Sequence, residues 1–408
     1  MDVNDELVAH GAEKISWARA HMPVLGQVAR ELAQAGTLAG LRVAMSIHLE
    51  AKTACLALAL RDAGAQLAVT GSNPLSTQDE VAAALAAQGV TVHAHRGAST
   101  AEYWQDLTET LAVRPQLVLD DGGDLTALLH GSGADLGAEV RGICEQTTTG
   151  VVRLRKLAAA GELRWPAVAV NDARMKHLFD NRYGTGQSTW DALMRATNLL
   201  VAGKEVVVAG YGWCGRGVAQ RARGLGARVT VCEVDPVRAA EALVEGFSVA
   251  PLGQAVRNAD FVITATGCRD VVPFASLLEA KDGVVLANAG HFDVEVDVEG
   301  LRRHARARRV RAGVDEYRLP NGRRVYVVAE GRLVNLVAGD GHPVEIMDLS
   351  FALQALSLTW LVERCGALPP AVYPVPDQVD TQVAHLFLDS CGVAIDLLTT
   401  AQRAYLGL

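Results

Sequence analysis

The stretch EVVVAGYGWCGRGVAQ (205–220) constrains the chain most: an apolar strand-like run breaks into closely spaced glycines and resumes with helical periodicity. Gly210 permits the tight turn, Gly212 allows backbone to approach a pyrophosphate, and Gly215 lets helix and strand pack. Glu233 ends the next apolar run, RVTVCE, about 20 residues on, where a carboxylate accepts from a ribose 2'-hydroxyl and repels a 2'-phosphate. The pattern therefore points to NAD, with Arg238 the one nearby feature that would suit NADP instead. The remaining runs DFVITAT and GVVLANAG complete a nucleotide-binding α/β unit.

About half of the chain precedes this loop. Between Leu41 and Asp172 a second series alternates strand-like and helical segments: LRVAMSI, AKTACLALALRDAG, QLAVTG, QDEVAAALAAQG, VTVHAH, QLVLDD and AVAVND. That rhythm predicts a parallel sheet, and ligands of open parallel sheets bind outside the carboxyl ends of the strands. Several of these strands end in polar residues: His48 after VAMSI, Asp121 in LDDGGDLT, Lys176 and Asp180 in VNDARMKHLFDN. Singly, each has a bland reading, with Asp124 a helix cap and Lys176–Asp180 an i, i+4 pair on a solvated face. Their convergence beside a dinucleotide domain favours a site.

A chain of 408 residues exceeds what one core usually organises. The expected class is α/β with two parallel-sheet domains: a substrate domain over 1–182, completed by about 344–372, and a Rossmann NAD-binding domain over 183–343. A C-terminal appendage over 373–408 follows. The net charge of −8 is spread along the chain without a basic stripe, which argues against nucleic acid. The start lacks the apolar core of a signal peptide, and no apolar stretch reads as a membrane span. DLSFALQALSLTWLVER (348–364) is apolar around most of a helix and suits a core or subunit interface. Seven scattered cysteines without a C-x-x-C pair suit reduced cytoplasmic thiols, and no metal site is expected.

The words GSNPLSTQD (71–79), LDDGGDLT (119–126), QTTTGV (146–151), FDNRYGTGQS (179–188), AGYGWCGRG (209–217), NAGHFDVE (288–295) and AEGRLVNL with GDGHP (329–343) run nearly the whole length. In this order they resemble the S-adenosyl-L-homocysteine hydrolase family. The resemblance implies reversible hydrolysis of the thioether to adenosine and L-homocysteine. Transient oxidation of the ribose 3'-carbon by NAD acidifies C4'-H, thiolate is eliminated, water adds, and the hydride returns. Lys176 and Asp180 would handle the 3'-hydroxyl, Asp121 and His48 the C4' proton and the C5' substituent, and His291 would sit near the reacting ribose. Thr147, Thr148, Thr149, Asn181, Glu233 and Asn335 would hold NAD, and His342 would approach the base. Which of Asp121, His48 and Lys176 acts as acid or base stays open.

Four departures from the family pattern stand out. Gln146 replaces a glutamate that holds ribose hydroxyls, and Thr185 replaces a cysteine near the nicotinamide. The chain ends at AQRAYLGL without the Lys- and Tyr-bearing tail of longer members, so NAD would be held within one subunit of an expected homotetramer. In HLEAKTA (48–54), Glu50 and Lys52 stand beside Thr53 where the family has H-x-T-x-E/Q-T-A. Lys52 can only donate, which would suit the 6-oxo group of an S-inosyl substrate rather than the 6-amino group of adenine. An ordinary NAD-dependent dehydrogenase and a catalytically silent NAD-binding regulator are the readings from other classes.

Overall fold

The computed structural model describes residues 3–407. Short Val-, Leu- and Ala-rich runs form strands that are buried along most of their length, as expected where helices cover both faces of a parallel sheet. The first series comprises β1 (Arg42–Ser46), β2 (Gln66–Thr70), β3 (Thr91–Val92), β4 (Leu117–Asp120), β5 (Gly142–Glu145) and β6 (Ala167–Ala169). The second comprises β7 (Glu205–Ala209), β8 (Arg228–Cys232), β9 (Ser248–Val249), β10 (Phe261–Thr264), β11 (Val284–Asn288), β12 (Arg306–Arg311), β13 (Val314–Arg318) and β14 (Arg324–Val328). A last strand, β15 (Val372–Pro374), returns to the first sheet.

The first sheet is seven-stranded and parallel throughout, in the order β15-β6-β5-β4-β1-β2-β3. The second is eight-stranded, β12-β13-β14-β11-β10-β7-β8-β9, parallel except for its antiparallel β12-β13-β14 edge. Each sheet reverses its winding once, between β1 and β4 and between β7 and β10. At such a reversal the connecting helices leave on opposite faces, and a crevice opens at the strand ends.

β15 extends the first sheet, and the helix Asp377–Ser390 packs on the helices Val344–Glu363 and Pro23–Ala35. The expected boundary at 373 therefore falls inside a strand, and the first layer continues to Ser390. Beyond it, residues 391–407 are exposed, including Leu397 at 80% and Tyr405 at 91%.

The helix Val344–Glu363 is long and apolar enough by length and composition to cross a membrane, but 72% of its apolar window is buried. Its apolarity is that of a core helix: Leu349, Phe351, Leu353 and Leu358 pack with β1, β4 and β5 residues in the largest cluster. The run RRHARARRVR (302–311), which composition alone did not single out, ends the helix Val298–His304 and then forms the exposed edge strand β12. Its arginines meet carboxylates, Arg308 with Glu316 and Arg309 with Asp315 and Glu330, and a charged edge resists pairing with another strand.

Candidate active site

The first crevice collects side chains. His48 follows β1 and Asp121 follows β4, on either side of the winding reversal. His48 Nε2 lies 3.7 Å from Asp121 Oδ2, while its Nδ1 lies 2.7 Å from Ser76 Oγ. Burial lowers the His48 imidazole to about 4, against the opposing pull of Asp121, so the ring is neutral at physiological pH. From the second sheet, His291 follows β11 and crosses to the same carboxylate, Nδ1 3.9 Å from Oδ1. It lies against Gly122, whose φ is +101° and where a Cβ would fall 2.3 Å from His291 Nε2. Glycine is required there twice over, by conformation and by contact.

Asp124 is not the helix cap that its position suggested. Gly123 occupies that position, and Asp120 accepts instead from Thr126 N and Oγ1 at 2.8 and 2.7 Å. Asp124 is drawn to Arg153 at 2.7 Å and the Tyr103 hydroxyl at 3.0 Å. Beneath this turn, Glu145 Oε1 accepts from Gly122 N, Thr147 N and Thr147 Oγ1. Burial and the neighbouring Asp120 push the Glu145 carboxyl well above its ordinary range.

A second cluster lies where the chain passes between the layers. Lys176 and Asp180 are not on a solvated face: both are buried, on a three-residue helical turn and the π-helix His177–Gly184 that continues it. Such wide turns concentrate at functional sites. Lys176 Nζ reaches Asn181 Oδ1 at 2.6 Å and Asp180 Oδ1 at 3.1 Å. Burial alone would raise the Asp180 carboxyl, but Lys176, His342 at 3.1 Å and Ser350 at 2.6 Å together hold it well below the usual carboxylate range. Thr185, at the cysteine-replaced position, contacts His342 Nε2 at 3.3 Å. Gln146 accepts from Gln354 at 2.7 Å.

Lys52 is buried rather than turned outward. Its Nζ lies 2.9 Å from Glu50 Oε2 and donates at 2.8 Å to the Asp340 carbonyl, two residues before His342. Glu50 caps its own helix, accepting from Lys52 N and Thr53 N, while the Thr53 hydroxyl donates to the His48 carbonyl at 2.6 Å. A cleft of about 310 Å³ leads in past Ser72, Tyr103 and Phe292 to His48 and His291.

The second crevice presents backbone. Gly212 starts the helix Trp213–Gly224 with no side-chain cap, leaving its first N–H groups for an anion. A Cβ at Gly215 would fall 1.9 Å from the Gly210 carbonyl oxygen. Glu233 accepts from Tyr211 N at 2.7 Å, which ties the end of β8 to the glycine loop. Arg238 stays half-exposed beside Asp235 at 3.6 Å. Asn335 donates to Ser188 at 2.9 Å, while its buried Oδ1 is unpartnered and can accept a carboxamide N–H. Glycine turn, uncapped helix, ribose carboxylate and orphaned acceptor fit a nicotinamide dinucleotide. Thr147 caps the helix Thr148–Ala159 and donates to Glu145, and Thr148 bonds Asn171 Oδ1 at 3.2 Å. Thr147 and Thr148 hydroxyls are thus already engaged, and Thr149 lies one residue on.

Sequence reasoning passed over Ser76, Ser350, Gln354 and Asn171. Ser350 and Gln354 had a signal: two polar residues four apart, hence on one face, within a mostly apolar helix.

The two crevices define an enzyme that pairs an NAD-binding layer with a buried acid–base layer. The S-adenosyl-L-homocysteine hydrolase profile matches residues 2–137, and the profile of that enzyme's NAD-binding domain matches 181–341. The chain is 56% identical to an adenosylhomocysteinase of Thermotoga maritima, over 97% of this chain and 98% of that one. It is 54% identical to an S-inosyl-L-homocysteine hydrolase of Methanopyrus kandleri, over 98% and 95%. With an adenosylhomocysteinase of Archaeoglobus fulgidus the identity is 52%, over 97% and 98%. The chain belongs to the S-adenosyl-L-homocysteine hydrolase family, and its cofactor is NAD.

Proposed function

We propose that the protein reversibly hydrolyses S-adenosyl-L-homocysteine to adenosine and L-homocysteine. The observation that carries this reading is the meeting of His48 and Asp121, from the first sheet, with His291, from the NAD-binding layer. NAD supplies a temporary acceptor for the C3' hydride. Lys176, aimed by Asn181 and Asp180, exchanges the 3'-hydroxyl proton. Once C3' is a ketone, Asp121 and neutral His48 serve the C4' proton and the group leaving or entering at C5'. The seam between the layers keeps bulk water from the intermediate. Gln146 would hold the ribose through an amide that Gln354 orients. Gly210, Gly212, Gly215, Glu233, Arg238, Asn181, Asn335 and the Thr147–Thr149 turn would hold the cofactor. The test follows thiol release and NADH absorbance together: homocysteine should appear without sustained NADH. NADH growing in proportion to product would identify a dehydrogenase instead.

Buried Lys52 favours a second reading, S-inosyl-L-homocysteine as substrate. With its ammonium beside the Gly341–His342 turn, the base pocket offers a donor, and a 6-oxo purine offers the matching acceptor. Glu50 would accept from the purine N1-H. Comparing kcat/KM for both thioethers in the wild type and in Lys52→Gln decides it. An inosyl preference that moves toward adenosyl in the variant supports this reading, and an unchanged adenosyl preference removes it. A mispaired buried polar group costs about 1–3 kcal/mol, so the swing should be about tenfold or more.

The exposed apolar residues Val393, Ile395, Leu397 and Leu406 of the C-terminal arm support assembly with copies of the same chain, as a homotetramer. Sedimentation velocity would read the assembly state directly. All seven cysteines are free, which suits the reducing cytoplasm.

A further inference from the structure

The three-residue helical turn Arg174–Lys176 has no capping side chain of its own, since Ala173 stands at its N-cap. The first N–H groups of a helix have no partner within it. Here they are satisfied from 206 residues away: Asp380 Oδ2 accepts from Arg174 N at 2.9 Å, and Asp380 Oδ1 accepts from Met175 N at 2.8 Å. Asp380 is 5% exposed, and among the described residues its only other partner is the Arg174 guanidinium at 3.3 Å. Two turns along the same helix, and so on the same face, Phe387 meets Phe179 edge-on with ring centroids 6.2 Å apart. The helix Asp377–Ser390 thus holds the segment 174–179 at two points, just before Lys176 and just before Asp180.

We propose that Asp380 is a positioning residue for the Lys176 proton-transfer step, acting as a helix cap supplied by the C-terminal helix. This rests on the role given to Lys176 above. Among the described residues, Nζ of Lys176 is held by Asn181 and Asp180, both on the turn that follows. The Lys176 backbone is fixed by the turn that Asp380 caps. Loss of the cap frees Arg174 and Met175 N–H groups to seek other partners, and the lysine then starts from a displaced Cα. Displacement of about 1 Å at a reacting group costs on the order of 100-fold in rate.

The molecule contains its own control. Asp348, also buried, caps a different helix in the same way, accepting from Val24 N at 3.0 Å and Leu25 N at 2.6 Å at the start of Pro23–Ala35. A cap that serves stability alone should behave like Asp348.

The experiment compares Asp380→Asn, Asp380→Ala and Asp348→Asn with the wild type, each as NAD-loaded protein. It measures the single-turnover rate of NADH formation per bound NAD, KM, the melting temperature, and amide hydrogen exchange across 174–181. Asp380→Ala should slow NADH formation by about 10- to 100-fold, with KM and NAD content within about twofold of wild type. Asp380→Asn, which keeps one acceptor, should fall between. Asp348→Asn should lower the melting temperature without slowing NADH formation. An Asp380→Ala rate per loaded site equal to wild type overturns the proposal, as does equal slowing in Asp348→Asn. If the wild type forms no NADH with either thioether, it is the proposed reaction that fails. Hydrogen exchange then still decides the cap, because unchanged exchange at 174–181 in Asp380→Ala rules it out.

Discussion

The two crevices arise from one topology and do opposite things with it. Each sheet reverses its winding once, and each gathers candidate site groups at the carboxyl ends of the strands at or beside the reversal. At the β1/β4 reversal the groups are side chains, His48 and Asp121, with Gln146 after the adjacent β5. At the β7/β10 reversal they are mainly backbone amides, exposed by Gly210, Gly212 and Gly215, with the Glu233 carboxylate as the main side chain. Backbone donors recognise a constant phosphate group, whereas proton transfer needs groups that titrate. One crevice should therefore respond to changes of side-chain charge through turnover, and the other through cofactor retention.

The strongest way to break that division is at its most polar point. Lys176→Ala and Asp121→Asn should each lower turnover by about two to four orders of magnitude, the usual worth of a positioned acid or base. Thiol release reads the loss, and a thermal melt with bound-NAD content should show both variants folded and loaded. Variants that kept near-wild-type turnover, or that lost NAD instead, would erase the distinction between the crevices.

Much of this contrast was legible in the sequence, and what was not has a common cause. The glycine spacing and Glu233 lie within one βαβ unit, so local order reveals them. His48 and Asp121 could be picked because each follows an apolar run directly. Asp380, Ser350 and Gln354 act on partners 206, 170 and 208 residues away. No local pattern reports such pairings; only the fold brings them together. The bland reading of Asp124 as a cap fails for a related reason. Its neighbour Asp120 binds Thr126, and a positive-φ glycine takes the cap position, which leaves Asp124 to Arg153. The return of β15 to the first sheet was hidden too, because VYP is too short to carry a strand pattern.

A smaller effect separates the crevices by pH. In the folded protein His48 titrates at about 4, below its ordinary 6.5, because burial disfavours the charged ring. Above pH 6.5 the ring is neutral in both folded and unfolded chains and costs nothing. As pH falls from 6.5 toward 4, only the unfolded chain takes up the proton, and stability is lost. The loss approaches about 3 kcal/mol at the acid end. Asp120 and Asp348, both raised to about 6 by burial, work in the opposite sense over part of this range. The comparison must therefore be wild type against His48→Gln. Urea unfolding from pH 7 to pH 4 should show a steeper fall for the wild type, and parallel curves would refute the buried neutral imidazole.

The smallest expected effect falls on the dinucleotide side, at its main side chain. Glu233 accepts from Tyr211 N through Oε2 and from Val234 N and Asp235 N through Oε1, at 2.7, 2.7 and 3.0 Å. Its geometry is therefore set by three backbone donors before any cofactor arrives, and one lone pair, on Oε2, remains for a ribose hydroxyl. Glu233→Gln keeps the shape and one accepting oxygen but removes the charge, and its amide must leave at least one of those N–H groups facing a donor. The expected result is NAD binding weakened by about three- to tenfold, roughly the worth of one hydrogen bond. Discrimination against NADP should shrink as well, since the charge that repels a 2'-phosphate is gone while Arg238 remains. Turnover per loaded site should hardly change, because Glu233 lies after β8 against the glycine loop. Cofactor exchange followed by fluorescence, with both dinucleotides, measures the first two effects. If Glu233→Gln instead slowed turnover as Asp121→Asn does, with NAD still bound, the two crevices would not divide the work as their chemistry indicates.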